Sequence, residues 1–415
     1  MKKVKIGVIG IGRGQSMMRF CHAVENAELV AICDKWEEGL RRHQTEYPDW
    51  NVAYYTDYDE FLKHDMDAVV LANYATEHAP FAVKAMKAGK HVYSEVLPVQ
   101  TMKEAVELIE AVEETGKVYF YGENYCFMEA PHEMRKLYRE DRIGELEYAE
   151  CEYIHDCGSI WHQITYGDPN HWRNNIYSTF YCTHSLGPVI HATGLRPVSV
   201  IGFEGSRNER NLMFGSKAGQ FGIEMVTLEN GAIVKSIHGG LYKNSIWYTM
   251  YGSKGRMETA REDAENGSVN RIYVNADEYT CQYADLPVQT YLPKQMEAES
   301  DAFGHGGSDF YAMYHFVDRI LGNEQAEIID VYEAIDMFLP GMFAYRSVLS
   351  GNVPVEIPDL RKKEVRDLYR NDTACSDPTV AGDQLLPTFS KGTPQIEPAV
   401  YDRVRKLWLD SLEKE

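Results

Sequence analysis

Residues 5–16 read KIGVIGIGRGQS, an apolar run that ends in glycines at positions 10, 12 and 14 and passes into polar residues. A strand that turns tightly into a helix needs residues without a Cβ at the turn. The free N–H groups of such a helix start favour negative charge, so the same turn suits a pyrophosphate. The spacing is G-x-G-x-G, which leaves Gln15 where a third glycine is usual. An ordinary strand-to-helix turn uses similar glycines, so this stretch needs support from its surroundings.

That support lies downstream. LVAIC (29–33), AVVLA (68–72), KHVYS (90–94) and KVYFYG (117–122) alternate with helix-period segments such as 77–89 and 101–115. This alternation predicts a parallel sheet wound with helices over residues 1–122, a Rossmann dinucleotide-binding domain. Asp34 closes the second run, where an acid can hydrogen-bond the ribose 2′-OH of NAD and would repel a 2′-phosphate. Lys35 beside it weakens that preference.

Beyond residue 144 the runs ELEYAECEYI, PVSVIGF, FGIEMVTLENGAIVKSIHG, IWYTMYG and NRIYVN follow one another without helices. The turn ENG at 229–231 joins two alternating runs, so a large open, mostly antiparallel sheet is expected within a second α+β domain, 123–358. Helical periodicity returns after Gly307, with Phe310, Met313, Tyr314, Val317 and Leu321 expected on one face, and again over 331–349. A tail, 359–415, is expected to end in an amphipathic helix facing inward through Val400, Val404, Leu407, Trp408 and Leu412. The fold class is therefore α/β.

Composition narrows the function. A net charge of -21 repels phosphate backbones and anionic surfaces, so neither nucleic acid nor membrane is expected as a partner. No apolar run is long enough to span a bilayer and the start reads as a strand, so a cytoplasmic protein is expected. The cysteines at 21, 33, 126, 151, 157, 182, 281 and 375 form no C-x-x-C pair and read as reduced thiols.

With the motifs GVIGIGRG, DAVVLANYATEH, AVKAMKAGKHVYSEVLP, GHGGSDF (304–310) and VPVEIPD (353–359), residues 3 to 358 resemble the Gfo/Idh/MocA family of nicotinamide-dependent sugar oxidoreductases. Most such dehydrogenases carry Glu-Lys-Pro where this chain has Glu95-Val96-Leu97, then Pro98. Val96 cannot replace a lysine acid/base. The NAD-dependent glycosidases of glycoside hydrolase family 109 share that change. Their pattern is matched by GENYCF (Glu123, Asn124), CEYIHD (Tyr153, His155), HWRNN (Trp172, Arg173) and FYCTHSLGPV (Tyr181, His184), with Cys182 in place of a proline.

The resemblance implies an NAD cofactor, tightly bound and recycled, held by Gly10, Gly12, Arg13, Gly14, Asp34, Asn73, His78, Glu95 and Asn124. In it His78 caps the helix after the fourth strand. Glu95, with no basic neighbour in the sequence, ends the fifth strand. It also implies catalysis by Tyr153, His155, Tyr181 and His184, and substrate contacts from Arg173, Trp172, Glu123 and Tyr242. The implied reaction is hydrolysis of a small glycoside, possible substrates including an N-acetylhexosaminide. Oxidation at C3 is followed by elimination across C1–C2, water addition and re-reduction.

On residues alone, Tyr153 and His155 share a face if their segment is a strand, whereas Tyr181 and His184 share one only if theirs is helical or bends. Glu95 and Glu123 read as positioners, and His305 as fixing the glycine-rich turn. A metal site from His155, Asp156, His184 and His305 is the rival for the histidines, but no ligand spacing on one element supports it and no metal is expected. Other readings are an NAD(H)-dependent sugar or inositol dehydrogenase with His184 as base, and a non-catalytic nucleotide sensor. The exposed face of an open sheet makes a homodimer or higher homo-oligomer the expected assembly.

Overall fold

The computed structural model describes residues 2–276, 289–296 and 303–413. Cys281 lies outside them, and the seven described cysteines are free thiols. The chain forms two compact units, each made of several segments. The first comprises Met1–Met128, Met296–Ile335 and Leu360–Asp372, and the second Glu129–Gln295, Asp336–Asp359 and Thr373–Glu415. The linear pattern suggested divisions at 122 and 358, whereas the observed units interleave. Late segments return to the first unit because their buried faces have their packing partners there.

The first unit holds strands β1 (Val4–Ile9), β2 (Ala27–Cys33), β3 (Ala53–Tyr55), β4 (Ala68–Leu71), β5 (His91–Ser94) and β6 (Tyr119–Tyr121). They are parallel, in the order β3-β2-β1-β4-β5-β6. The order of winding therefore reverses between β1 and β4, the place in such a sheet where a crevice opens at the carboxyl ends of the strands. Strand β3 escapes pattern reading because its three residues, AYY, are only half-buried.

The second unit holds β7 (Leu146–Ile154), β8 (Pro197–Glu204), β9 (Phe221–Leu228), β10 (Ile233–Gly239), β11 (Ser245–Gly252), β12 (Gly255–Thr259), β13 (Ile272–Asn275), β14 (Gln289–Tyr291) and β15 (Val355–Glu356). Their order is β14-β13-β12-β11-β7-β10-β9-β8-β15. Every pairing is antiparallel except β7 with β10. Gly231, at φ +90°, closes the β9–β10 hairpin in the left-handed conformation that glycine adopts without strain. Helix Thr183–Thr193 lies against this sheet, with the Ser185 hydroxyl 2.8 Å from that of Ser236 and the Tyr248 hydroxyl donating to the His184 carbonyl. Its residues 183–192 are all buried, as befits a helix that is not amphipathic.

Two expected helix faces are rotated. In helix Ser308–Ile320, Met313 and Val317 are buried, but Leu321 just beyond it is exposed and Phe310 and Tyr314 are half-buried. The inward row runs through Asp309, Ala312, Met313, Phe316 and Val317, because Asp309 is buried by an ion pair that an apolar template passes over. In helix Pro398–Leu412, Tyr401 and Val404 are buried while Leu407 is 50% exposed. The Tyr401 hydroxyl donates to the Gly215 carbonyl, which lets a partly polar residue take the inward position.

Candidate functional site

At the carboxyl ends of the first sheet, Gly10 has φ +98°, and a Cβ there would stand 2.2 Å from the Ala72 carbonyl oxygen. At Gly14 a Cβ would meet the Gly10 carbonyl oxygen at 2.4 Å, so Gly14 supplies close helix–strand packing although the third glycine of the usual spacing is missing. Gly12 differs: nothing lies within 4 Å of the place its Cβ would take. That open side of the turn, at the start of helix Gln15–Ala23, is where a pyrophosphate fits. Asp34 follows β2 and accepts from the Ile11 N–H (2.9 Å) and the Trp36 N–H (2.9 Å), so its half-exposed carboxylate is oriented for a ribose diol. Lys35 contacts Glu77 (3.2 Å) and the Tyr74 ring (3.9 Å).

Glu95 follows β5 and is buried. The sequence puts no base beside it, yet Arg13 Nη2 stands 2.7 Å from its Oε1, off the line of a directed hydrogen bond. Arg13 also forks onto Asp309, with Nη1 and Nη2 at 2.8 and 2.7 Å from its two oxygens, and His305 Nδ1 lies 3.1 Å from Asp309 Oδ2. Asn124 Nδ2 donates to the same carboxylate at 3.2 Å. His305 thus holds a carboxylate from within its glycine-rich turn. Burial, aided by Asp309, raises the Glu95 carboxyl to about 7 against the pull of Arg13. Asp309 is held well below the usual carboxylate range because His305 and Arg13 outweigh its burial.

His78 is the first residue of helix His78–Lys87 and does not cap it. Its Nδ1 lies 2.9 Å from the Leu97 carbonyl, tying the helix start to the loop after β5, and burial lowers its pKa so the ring is neutral. Asn73 donates to Glu77 (3.0 Å), leaving its buried Oδ1 without a hydrogen-bond partner, as is His78 Nε2. Such orphaned polar atoms beside an open glycine turn fit a cofactor with amide and hydroxyl groups. Glu123 is fully buried and accepts from the Tyr125 N–H (3.3 Å), which suits a positioner and leaves it no exposed surface.

In the second unit, Tyr153 and His155 leave β7 on one face, and their side chains meet: the Tyr153 hydroxyl is 3.0 Å from His155 Nδ1. The Cys157 sulfur is 3.3 Å from the same nitrogen. Tyr181 immediately precedes Cys182, the N-cap of helix Thr183–Thr193, and His184 sits in its first turn. The bend stacks the two rings edge to face at 5.1 Å, with His184 also 4.7 Å from the Tyr153 ring. Arg173 lies over Tyr181 (5.0 Å) and Trp172 (4.4 Å). Although burial opposes its charge, hydrogen bonding to Tyr181 and attraction from Tyr153 and Cys157 raise the Arg173 pKa.

Tyr153, His155, Arg173 and Tyr181 line one cavity of about 150 Å³, a size that holds a single six-membered ring. His184 stands against Tyr153 and Tyr181 and is not among its lining residues, nor is Trp172, which backs Arg173 and Tyr181. Tyr242 is 73% exposed and lines a neighbouring, wider cavity of about 880 Å³ with Asp156 and Arg210. Those two form an ion pair, and Arg210 borders both cavities. No group of three His, Cys, Asp or Glu among the described residues is placed to hold a metal ion. Pattern reading overlooked Asp309, Cys157, Arg210 and two inward-facing polar residues of the β9–β10 hairpin. Only the two hairpin residues carried a visible signal, polarity at positions where the strand period calls for apolar residues; Asp309, Cys157 and Arg210 lie on helical elements, where that period does not apply.

Comparisons with known proteins give two family matches. Residues 4–123 match the Gfo/Idh/MocA family model, an oxidoreductase family with an NAD-binding Rossmann fold, and residues 203–366 match the C-terminal domain of glycosyl hydrolase 109. The chain is 26% identical over 394 residues to a glycosyl hydrolase family 109 protein of Solibacter usitatus, covering 86% of this chain and 88% of that one. It is 26% identical over 397 residues to an alpha-N-acetylgalactosaminidase of Shewanella oneidensis, covering 87% and 86%. Among solved structures, aldose-aldose oxidoreductase from Caulobacter crescentus superposes with a TM-score of 0.68 at 18% identity, covering 86% of this chain and all (100%) of that one. Scyllo-inositol dehydrogenase from Lactobacillus casei, solved with NAD(H) and scyllo-inositol, gives 0.66 at 17% identity, over 87% and 100%. The Tyr153–His184 segment lies between the two family matches. With its glycine turn and Asp34 in the first unit and its nine-stranded sheet in the second, the chain is an NAD-binding enzyme in which residues 4–123 match the Gfo/Idh/MocA oxidoreductase family and residues 203–366 match the C-terminal domain of glycosyl hydrolase 109.

Proposed function

We propose that this enzyme hydrolyses a small glycoside through a transient ketone at C3. The observation that carries the reading is the Tyr153–His155 contact of 3.0 Å in a ring-sized cavity that Arg173 and Tyr181 also line. Bound NAD supplies a hydride acceptor and later a hydride donor at C3, so it is not consumed. A carbonyl at C3 makes the C2 proton acidic, and Tyr153 is the base that takes it.

A tyrosine with an ordinary pKa near ~10 is a poor base at neutral pH. His155 Nδ1 can accept the phenol proton, and the fixed charge of Arg173 favours the phenolate. Arg173 and Tyr181 stabilise the oxygen at C3 as its charge changes. His184 supports the two tyrosine rings and is assigned the O3 proton by way of Tyr181. Val96 fits this division of labour, since the acid/base work rests on the second unit. The name of the Shewanella relative makes an N-acetylhexosaminide the first substrate to try.

The test is incubation with p-nitrophenyl glycosides of several sugars in D2O, with and without added NAD+. Nitrophenol release with deuterium at C2 of the freed sugar and no net NADH is the expected outcome. NADH formed in step with substrate and no nitrophenol would instead establish a sugar dehydrogenase and remove the role given to Tyr153.

A further inference from the structure

Two polar residues of the second unit have no place in the scheme above. Glu224 on β9 and His238 on β10 are 0% and 1% exposed. Both oxygens of Glu224 and both ring nitrogens of His238 lack a hydrogen-bond partner, while His238 Nδ1 stands 3.5 Å from Glu224 Oε2. Four unsatisfied polar atoms in one buried pair are rare in native proteins and call for an explanation.

Their position supplies one. Glu224 is registered opposite Ser236, and His238 opposite Tyr153 of β7, so all four side chains share one face of the sheet. On that face Ser236 meets Ser185 of helix Thr183–Thr193, and His238 lines the same cavity as Tyr153, His155 and Arg173. An imidazole in the wall of a ring-sized cavity, with a carboxylate at its back, is arranged to exchange a proton with whatever enters.

We propose that His238, positioned and charge-balanced by Glu224, is the acid that protonates the departing aglycone oxygen. This inference rests on the glycosidase reading. As Tyr153 takes the C2 proton, the C2–H electron pair forms the C1–C2 double bond and the C1–O bond breaks. Its pair stays on the aglycone oxygen, which takes the proton of His238. When water then adds at C1, neutral His238 takes a proton from it and is restored. Tyr153–His155 serve C2 and Tyr181–His184 serve O3, so this third transfer is the one left without a donor. The substrates are accordingly glycosides whose aglycone is an unactivated alcohol, such as a second sugar.

The experiment compares His238→Gln and Glu224→Gln with wild type on two glycosides of the same sugar, p-nitrophenyl and methyl, in a single turnover. Nitrophenolate leaves without an acid and methoxide does not. His238→Gln should release nitrophenol within about threefold of wild type and methanol at least 100-fold more slowly. Glu224→Gln, close to isosteric, should show the same asymmetry at roughly tenfold. Equal losses on both glycosides, or a fall in Tm without any asymmetry, would show a structural pair and overturn the proposal. Wild type that releases nitrophenol from no glycoside would instead defeat the glycosidase reading itself, and the role of the pair with it.

Discussion

The Tyr153 hydroxyl lies 3.0 Å from His155 Nδ1 at the edge of a cavity that both residues line. Strand periodicity brings the two side chains to one face, and the end of β7 lets them meet. Replacing Tyr153 by Phe keeps the ring against His184 and removes only the hydroxyl. Turnover of the glycoside should fall by about 10²–10⁴-fold, with NAD affinity and Tm close to wild type. Loss of NAD binding in parallel would show that the residue acts on folding and not on the reaction.

Arg173 stacks between Trp172 and Tyr181 while its charge acts on Tyr153 and Tyr181. A lysine has neither the planar fork nor the stacking surface. Arg173→Lys should therefore lower kcat/KM by at least about tenfold, a barrier increase of ~1.4 kcal/mol. Most of the loss should fall on kcat, since the charge is needed as Tyr153 becomes a base. Steady-state kinetics separate this from a pure KM effect.

The glycine turn offers a paired test. At Gly10 a methyl group would collide with the Ala72 backbone, and φ is +98°. Gly10→Ala should cost about 1–3 kcal/mol or more of stability, seen as a lower Tm without cofactor. At Gly12 the added methyl meets nothing. Gly12→Ala should leave the Tm of cofactor-free protein unchanged yet weaken NAD, read by calorimetric titration.

Glu95 predicts a pH dependence whose sign follows from its raised pKa. The free carboxyl ionises near 4.5, whereas burial holds the folded group protonated to about 7. The contribution of neutral Glu95 to stability is therefore complete below about 4.5 and is lost as pH rises through about 7. Its size is on the order of 3 kcal/mol. Glu95→Gln keeps the group neutral, so its Tm should gain on wild type between pH 5 and 8, while Arg13 retains its fork on Asp309. A difference independent of pH would refute the assignment.

The architecture was legible because its signals are local. Alternating strand and helix periods marked the first sheet, and unbroken strand runs with the turn at 229–231 marked the second. Short elements escaped, among them β3, β12, β14 and β15, whose two to five residues are mostly half-buried or exposed and so form no apolar run. The inward faces of helices Ser308–Ile320 and Pro398–Leu412 were displaced because Asp309 and Tyr401 are buried through their polar partners.

By itself the sequence determined the two sheets, the glycine turn with Asp34, and the Tyr-His and Arg residues that carry the family likeness. These follow from backbone sterics and from side-chain period, both set by near neighbours along the chain. Only the tertiary structure decided what stands beside each of them. It put Arg13 next to Glu95, paired Lys35 with Glu77, set His184 behind the two tyrosines, moved Tyr242 to a second cavity, and brought Glu224 to His238. Ion pairing, burial and proton transfer depend on distance in space, and strand register and helix packing set those distances between residues far apart in the chain.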